Sequence, residues 1–265
     1  MPPPVSRRTV LAGAAAATAV TAAFGGPAAA AGRPARPKPT IVLVHGAFAD
    51  ASGWSHVITH LTREGHTVVA PPNPLRGVHA DSAYLAAFLA TLQGPLVLVG
   101  HSYGGVLITN AAYGDVRVRA LVYVAAFAPD AGETVPALQT KFTGTKLTEA
   151  ALDFRQHPQG VDGYVKRAVF REVFAGDLSR SEADLLWATQ RPGDTATLSE
   201  ASGEPAWSTI PSYYLVASED NLIPPAAQRF MAARAGAHTV EVEASHVAMI
   251  SQPRTTAALI GKAAR

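Results

Sequence analysis

Short apolar runs alternate with longer amphipathic segments along the chain from Thr40 onward. The runs are rich in Val, Ile, Leu and Ala and lack the polar alternation of a half-exposed strand, so they indicate strands buried on both faces. Strands are predicted at residues 40–44, 66–70, 95–99, 120–125, 213–217 and 239–242. This order of strands and helical segments predicts an α/β fold with a mostly parallel, doubly wound sheet of about six strands.

The segments between the predicted strands have helical spacing. Residues 80–92 place their large apolar side chains on one helical face, and further helices are predicted at 106–112, 225–235 and 247–264. Helices between parallel strands cover the two faces of the sheet, which agrees with the buried character of the strands.

One long section, residues 128–208, contains no strand-like run. It holds only polar helical patterns, such as those at 161–174 and 181–190, and it is too long for a connecting loop. We therefore predict a helical lid, at about residues 129–208, inserted between the fourth and fifth strands. Its candidate pocket or lid-core aromatics, for which core packing is the favoured role, are Phe127, Phe142, Tyr164, Phe170, Trp187 and Trp207.

The N-terminus has the features of an export signal. Arg7 and Arg8 precede an apolar stretch at 11–24 and a run of alanines that ends at Ala31. Paired arginines in this setting indicate the twin-arginine route, and the apolar stretch is shorter than the ~20 residues of a membrane span. We predict an export signal at residues 1–31, a Pro-rich linker at 32–39 and the folded domain at 40–265. The expected location is secreted or cell-envelope.

Charge and cysteine content narrow the function classes. The net charge of +2 comes from two arginines in the first 31 residues, because the 22 basic residues leave 20 from Gly32 onward against 20 acidic ones. A near-neutral domain does not favour nucleic acid or an anionic surface as partner. The absence of cysteine excludes a Cys nucleophile and thiolate metal sites.

A serine bracketed by glycines follows the third predicted strand. Gly100-His101-Ser102-Tyr103-Gly104 lies between that strand and a helix, the setting of a nucleophile elbow, in which a strained turn presents the serine hydroxyl. An incidental glycine-rich turn is the alternative interpretation. A phosphate loop is disfavoured because neither Gly-Lys-Ser/Thr nor G-x-G-x-x-G follows any strand.

Later strand ends supply partners for the serine. A serine hydroxyl needs a base, and the carboxyl ends of the fifth and sixth strands bring Asp220 and His246 to the same edge of the sheet. The order Ser102, Asp220, His246 distinguishes this arrangement from other serine triads. Glu219 and Asp130 remain alternatives for the acid.

Two other histidines, His45 and His101, are expected to have structural roles. The donors for an oxyanion are expected from the backbone. They are the Tyr103 amide and, from the loop after the first strand, the Ala47 amide as first choice and the Phe48 amide as second.

Five segments together resemble the α/β-hydrolase superfamily: "VLVHGAFADASGW", "VLVGHSYGG", "YVAAFAPDAGE", "ASEDNLIP" and "ASHVAMISQP". More narrowly, the chain resembles the small group of methylesterases, pyrethroid-type carboxylesterases and hydroxynitrile lyases. The resemblance implies a capped, mostly parallel sheet and no cofactor. It also places the nucleophile, acid and base on Ser102, Asp220 and His246, and the oxyanion donors on Ala47 and Tyr103.

Departures from the family pattern favour ester hydrolysis. Lyases of this group carry threonine where this chain has Gly46, and lysine where it has Val247, which cannot stabilise a leaving cyanide. Cofactor-free haloperoxidase-like relatives usually have methionine at the position of Tyr103.

These features together predict an exported serine hydrolase that cleaves small-molecule carboxylic esters or lactones through an acyl-enzyme. The expectation includes no cofactor, no metal, no nucleic-acid partner and no stable membrane association after signal cleavage. A non-catalytic ligand-binding protein of the same fold and a lyase of the same fold remain the alternatives. The oligomeric state is not predicted.

Overall fold

A six-stranded parallel sheet forms the centre of the protein. The computed structural model describes residues 37–265, which form one compact unit. The strands of this part of the chain are β1 (Thr40–Val44), β2 (Val68–Val69), β3 (Leu96–Ser102), β4 (Val118–Ala126), β5 (Leu152–His157), β6 (Gly160–Val165), β7 (Gly193–Asp194), β8 (Ser212–Ala217) and β9 (His238–Val242). The central sheet has the order β2-β1-β3-β4-β8-β9 with every neighbouring pair parallel. The predicted fold class is confirmed.

Helices cover the sheet. They are α1 (Ser55–Arg63), α2 (Val78–Ala90), α3 (Tyr103–Ala111), α4 (Val135–Gln139), α5 (Arg167–Phe174), α6 (Arg180–Thr189), α7 (Ala196–Ser199), α8 (Pro225–Arg234), α9 (Ala248–Ser251) and α10 (Pro253–Ala263). Right-handed crossovers in this strand order assign α1 to one face and α2 and α3 to the other, and α10, which follows the last strand, packs on the face of α1. The contacts agree, because α1 packs on α10 and α2 packs on α3. Among the residues described, no helix is long and apolar enough to cross a membrane.

The strand order reverses between β1 and β3. From β1 the chain moves outward to β2, and it then returns to place β3 on the other side of β1. Open α/β sheets bind ligands at such a reversal, at the carboxyl ends of the strands. Ser102 ends β3 at this point, and His45 directly follows β1.

The inserted segment between β4 and β8 is not purely helical, so that part of the prediction is wrong. It contains α4 to α7 together with an antiparallel sheet of order β5-β6-β7. The predicted helical pattern at 161–174 divides into the strand Gly160–Val165 and the helix Arg167–Phe174. The predicted helix at 247–264 is likewise broken, because Pro253 begins a new helix, α10.

Polar contacts close the base of this insertion. The Trp207 indole Nε1 donates a hydrogen bond to the Pro129 carbonyl oxygen at 2.8 Å. Arg234 of α8 holds both carboxylate oxygens of Glu133 at 2.7 and 2.8 Å. The two ends of the insertion are therefore tied together, and one of them is tied to a helix of the central fold.

The predicted export signal at residues 1–31 and most of the predicted linker at 32–39 lie outside the described residues. Within the described part of that linker, the Lys38 ammonium donates to the Glu64 carbonyl oxygen at 2.8 Å, at the end of α1.

Candidate active site

Ser102 occupies a strained turn between β3 and α3. Its φ of 54° and ψ of −125° lie where L-residues are rarely found. The flanking glycines allow this turn, because a Cβ at Gly100 would lie 2.6 Å from the Gly104 carbonyl oxygen and a Cβ at Gly104 would lie 2.4 Å from the Val44 carbonyl oxygen. The geometry is that of the predicted elbow, and Ser102 lines a cavity above the sheet.

His246 and Asp220 form a buried pair beside this turn. The His246 Nδ1 and Asp220 Oδ2 atoms are 2.7 Å apart, and both side chains are fully buried. The second oxygen, Oδ1, accepts the amides of Leu222 and Ile223 at 2.7 and 2.9 Å. The alternative acid Asp130 instead accepts the amide of the next residue in a turn, and Glu219 is exposed.

Gln228 of α8 is a partner of this pair that the sequence reasoning missed. Its amide nitrogen donates to Asp220 Oδ2 at 2.8 Å and to the Ile223 carbonyl oxygen at 2.9 Å, and its amide oxygen accepts the Ala217 amide at 3.0 Å. A glutamine inside an amphipathic helix carries no signal of its own. The only clue was the short distance in sequence between Asp220 and the helix that begins after Pro224.

The second ring nitrogen of His246, Nε2, is buried and has no hydrogen-bond partner within residues 37–265. A hydrogen bond to Ser102 is therefore not formed in this state. The two segments nevertheless meet through His101, whose ring centroid is 4.7 Å from that of His246. Hydrogen bonds between base and nucleophile often tighten only when substrate binds.

His101 and His45 have the structural roles expected of them. His101 Nε2 contacts the His246 carbonyl oxygen at 2.9 Å, and burial holds the pKa of His101 well below its usual value, so the neutral ring donates this bond. Burial also lowers the pKa of His45. Its Nδ1 lies 2.9 Å from the Gly46 carbonyl oxygen, while its Nε2 accepts the Asn73 amide at 3.2 Å.

The two backbone amides after β1 that are candidate oxyanion donors differ in whether they already make a hydrogen bond. The Phe48 amide donates to the Arg191 carbonyl oxygen at 2.8 Å, so it is already engaged. The Ala47 amide and the Tyr103 amide, at the first position of α3, make no backbone hydrogen bond within the described chain. Ala47, Tyr103 and Ser102 all line the same cavity.

The cavity over Ser102 is predominantly apolar. Its walls come from the loop after β1, the elbow, the Asp220 loop after β8 and the insertion, and among residues 37–265 no Lys, Arg, Asp, Glu or His contributes to them. The lining residues are Ala47, Phe48, Ser102, Tyr103, Phe127, Val135, Gln139, Leu147, Leu152, Phe154, Gly163, Gly193, Thr195, Thr197, Leu198 and Leu222. Of the predicted pocket aromatics, Phe127 lies here, while Phe170 is buried in the core.

Comparison with known proteins agrees with this arrangement. The sequence profile described as "Alpha/beta hydrolase family" matches residues 41–259. The chain belongs to the alpha/beta hydrolase family.

Individual relatives show which members of this family the chain resembles. A pyrethroid hydrolase of Sphingobium wenxiniae is 29% identical, over 83% of this chain and 85% of its own. Methylesterase 10 of Arabidopsis thaliana is 26% identical, over 83% and 89%. The structure of an extracellular alpha/beta-hydrolase from a Paenibacillus species superposes with a TM-score of 0.69 at 24% identity, covering 86% of this chain and 99% of that one. The resemblance to methylesterases and pyrethroid-type esterases is confirmed.

In this alpha/beta hydrolase the Tyr103 side chain is anchored away from Ser102. Its hydroxyl donates to Asp81 Oδ2 of α2 at 2.9 Å, and the same buried carboxylate accepts the amides of Arg76 and Gly77. Burial raises the pKa of Asp81, and burial together with the Asp81 charge raises the pKa of Tyr103 far above its usual value. Tyr103 therefore keeps its proton and acts as a donor.

A second cluster of polar side chains joins the insertion to the central fold. His157, Asp162 and Asp194 offer the donor atoms of a metal site. However, Arg76 Nη1 lies 2.5 Å from Asp162 Oδ1 and 3.8 Å from Asp194 Oδ2, so a guanidinium already supplies the positive charge. Burial alone raises the pKa of Asp194, but hydrogen bonds from Ala196 and His157 and the Arg76 charge outweigh it and lower that pKa. We assign the cluster to ion pairing.

Tyr103→Phe is expected to destabilise the fold in a pH-dependent way. Because burial raises the pKa of Asp81, ionisation of this group costs stability as the pH rises through that pKa, and removal of the hydroxyl raises the pKa further. The loss in unfolding free energy at pH 7 should be about 1.5 to 3 kcal/mol, the contribution of a hydrogen bond to a charged group. It should be smaller at pH 4, where a larger share of Asp81 is protonated in the variant.

Urea denaturation at the two pH values measures this difference. Tyr113→Phe, at a half-exposed tyrosine on the surface, serves as the control and should change neither value. An equal loss for Tyr103→Phe at both pH values would contradict the role assigned to Asp81.

Proposed function

We propose that this protein hydrolyses carboxylic esters through a Ser102 acyl-enzyme, with His246 as base and Asp220 as the acid that orients it. The observation that carries the proposal is the strained Ser102 turn beneath an apolar cavity, next to a fully buried Asp220–His246 pair whose outer nitrogen has no partner in the described chain.

In this mechanism the Ser102 Oγ attacks the ester carbonyl carbon while His246 Nε2 accepts the hydroxyl proton. The negative charge that develops on the carbonyl oxygen is stabilised by the free amides of Ala47 and Tyr103, the latter at the N-terminus of α3. His246 then protonates the leaving alcohol. Water, activated by the same nitrogen, attacks the acyl-enzyme and releases the acid.

Asp220 keeps the imidazole in one tautomer. Its Oδ2 atom accepts from His246 Nδ1, so Nε2 is left with its lone pair as the proton acceptor. The amides of Leu222 and Ile223 and the side chain of Gln228 hold the carboxylate in place. Held in this orientation, the Asp220 carboxylate can stabilise the imidazolium that forms during the reaction.

The cavity favours a neutral, apolar ester. A charged group placed among its uncharged walls would lose hydration without an ionic partner. The names of the relatives, methylesterase and pyrethroid hydrolase, support ester chemistry in this group. A lactone is an ester within the same mechanism, so it stays inside the proposed class.

The lyase alternative loses support from the same site. A Cβ at Gly46 would lie 2.5 Å from the Ser102 Cβ and 2.8 Å from the His101 carbonyl oxygen, so threonine does not fit this backbone. Val247 is fully buried and offers no charge for a leaving cyanide.

Ser102→Ala is expected to abolish turnover of 4-nitrophenyl acetate, because the nucleophile is lost while the fold is kept. The wild-type protein should also react covalently with a fluorophosphonate probe, and the variant should not. Release of 4-nitrophenolate and fluorescence of the labelled band measure the two effects.

Ser55→Ala, at an exposed serine of α1, is the control and should retain both activities. Equal turnover by wild type and Ser102→Ala would refute the assignment of the nucleophile. Absence of probe labelling in the wild type would favour the non-catalytic ligand-binding alternative.

Asp220→Asn is expected to lower kcat by about 10⁴-fold, because the amide presents the wrong donor pattern to His246 and permits the wrong tautomer. Asp130→Asn and Glu219→Gln should leave kcat within a factor of two. Steady-state kinetics with 4-nitrophenyl acetate, with circular dichroism to verify folding, makes the comparison. A large loss in the Asp130 variant and none in the Asp220 variant would instead assign the role of the acid to Asp130, after β4.

We also propose that residues 1–31 direct export by the twin-arginine route to the cell surface or medium. The proposal is supported by the Arg7-Arg8 pair, the apolar stretch behind it and a domain without cysteines, which can be exported already folded. Arg7→Lys combined with Arg8→Lys should retain the protein inside the cell. Cell fractionation and the intact mass of the exported protein test this, and an exported protein that still carries residues 1–31 would contradict cleavage near Ala31.

A further inference from the structure

The apolar cavity contains one buried polar side chain whose hydrogen-bonding capacity is only half used. Apart from the elbow residues, its polar lining side chains are Gln139, Thr195 and Thr197. Thr197 donates its hydroxyl to the Asp194 carbonyl oxygen at 2.7 Å, and Thr195 is half-buried. Gln139, at the end of α4, is only 6% exposed.

The orientation of the Gln139 amide follows from its partners. Its nitrogen Nε2 donates to the Leu222 carbonyl oxygen at 3.0 Å and to the Thr145 hydroxyl oxygen at 3.1 Å. The Thr145 hydroxyl can accept there, because its own proton goes to the Leu222 carbonyl oxygen at 2.9 Å. Both donors of the Gln139 amide are therefore used, and the amide cannot rotate by 180° without losing them.

The amide oxygen of Gln139, Oε1, is the part of the side chain that has no hydrogen-bond partner in the described part of the protein. It accepts no hydrogen bond from any group within residues 37–265, whereas the other atoms of this small network are paired. This oxygen is not fully enclosed, so a ligand that offers a donor can reach it and form the missing hydrogen bond. Such an oxygen selects for a hydroxyl or N–H group.

We propose that Gln139 Oε1 accepts a hydrogen bond from the substrate, so that the enzyme prefers esters that carry a neutral hydroxyl or N–H group on their apolar part. The inference rests on the proposed ester hydrolysis and names its substrate class more closely. An ammonium group is disfavoured because the cavity wall contains no carboxylate, and a carboxylate is disfavoured because it would face a carbonyl oxygen. Gln139 is thus a specificity-determining residue.

A purely structural role for Gln139 makes a different prediction. Gln139 donates to the Leu222 carbonyl oxygen, and so it contacts the loop that carries Asp220. The Leu222 amide in turn donates to Asp220. If Gln139 only braces this loop, its loss lowers the rate with every ester to the same extent. Thr145 is the matched control, since it braces the same carbonyl oxygen but does not line the cavity.

The experiment compares pairs of esters of nearly equal shape: methyl 3- and 4-hydroxyphenylacetate against methyl 3- and 4-methylphenylacetate. kcat and KM are measured separately by titration of the released acid, for the full-length wild type, Gln139→Met and Thr145→Val. 4-Nitrophenyl acetate, which carries no hydroxyl or N–H donor for the Gln139 oxygen, reports on the catalytic machinery without this hydrogen bond.

For at least one ring position we expect the wild type to prefer the hydroxyl ester by about five- to tenfold in kcat/KM, the effect of one neutral hydrogen bond. Gln139→Met should bring this ratio to one or below, mainly through a higher KM for the hydroxyl ester. Thr145→Val should keep the wild-type ratio even if both rates fall.

Three results would overturn the inference: a wild-type ratio near one at both ring positions, an unchanged ratio in Gln139→Met, or an equal collapse of the ratio in Thr145→Val. In each of these cases, hydrolysis of 4-nitrophenyl acetate leaves the proposed function standing. No hydrolysis of any of the esters, including 4-nitrophenyl acetate, would instead overturn the proposed function itself.

Discussion

The close packing of helix α3 against the ends of β1 and β4 is the constraint on which the rest of the site depends. A Cβ at Gly104 would lie 2.4 Å from the Val44 carbonyl oxygen, and one at Gly105 would lie 2.2 Å from the Phe127 carbonyl oxygen. The helix therefore begins directly on the sheet edge, without a connecting loop. The chain can make this connection only by a sharp turn, and Ser102, with its positive φ, is the residue that makes it. Strain at the serine and the position of the α3 N-terminus beside it are two results of the same packing.

A second organising feature is the fully bonded Asp220 carboxylate. It joins three parts of the chain, because its donors come from its own loop, from Gln228 of α8 and from His246. A buried charge with every lone pair occupied is stable, whereas a partly bonded one is costly. Leu222 extends this network into the cavity, since its amide faces Asp220 and its carbonyl oxygen faces Gln139. The pocket wall and the Asp220 carboxylate are thus parts of one hydrogen-bonded unit.

The central fold could be predicted from the sequence because each buried parallel strand is an uninterrupted apolar run, as in β3, and because the elbow needs glycine at fixed positions. The placement of Ser102, Asp220 and His246 at the ends of β3, β8 and β9 was predictable for the same reason. The antiparallel sheet of the insertion was not. β5 is largely exposed and polar, and β6 carries two glycines, so neither has the apolar pattern of a buried strand. Asp81, Gln139 and Gln228 were missed because a buried polar residue is recognised by the hydrogen bonds it makes in the folded chain, and the sequence does not show which partners the fold brings to it.

Tyr103 has two structural roles, one for its backbone amide and one for its side chain. Its amide lies beside Ser102, while its phenol satisfies a carboxylate on α2 that is completely enclosed. Any residue except proline would supply the amide, but only a residue with a suitably placed donor satisfies Asp81. An apolar residue at position 103 would leave the Asp81 carboxylate with only the Arg76 and Gly77 amides as donors from the described residues, so we expect residues 103 and 81 to vary together. Variation next to Ser102 is therefore limited by a residue of another helix that does not line the cavity.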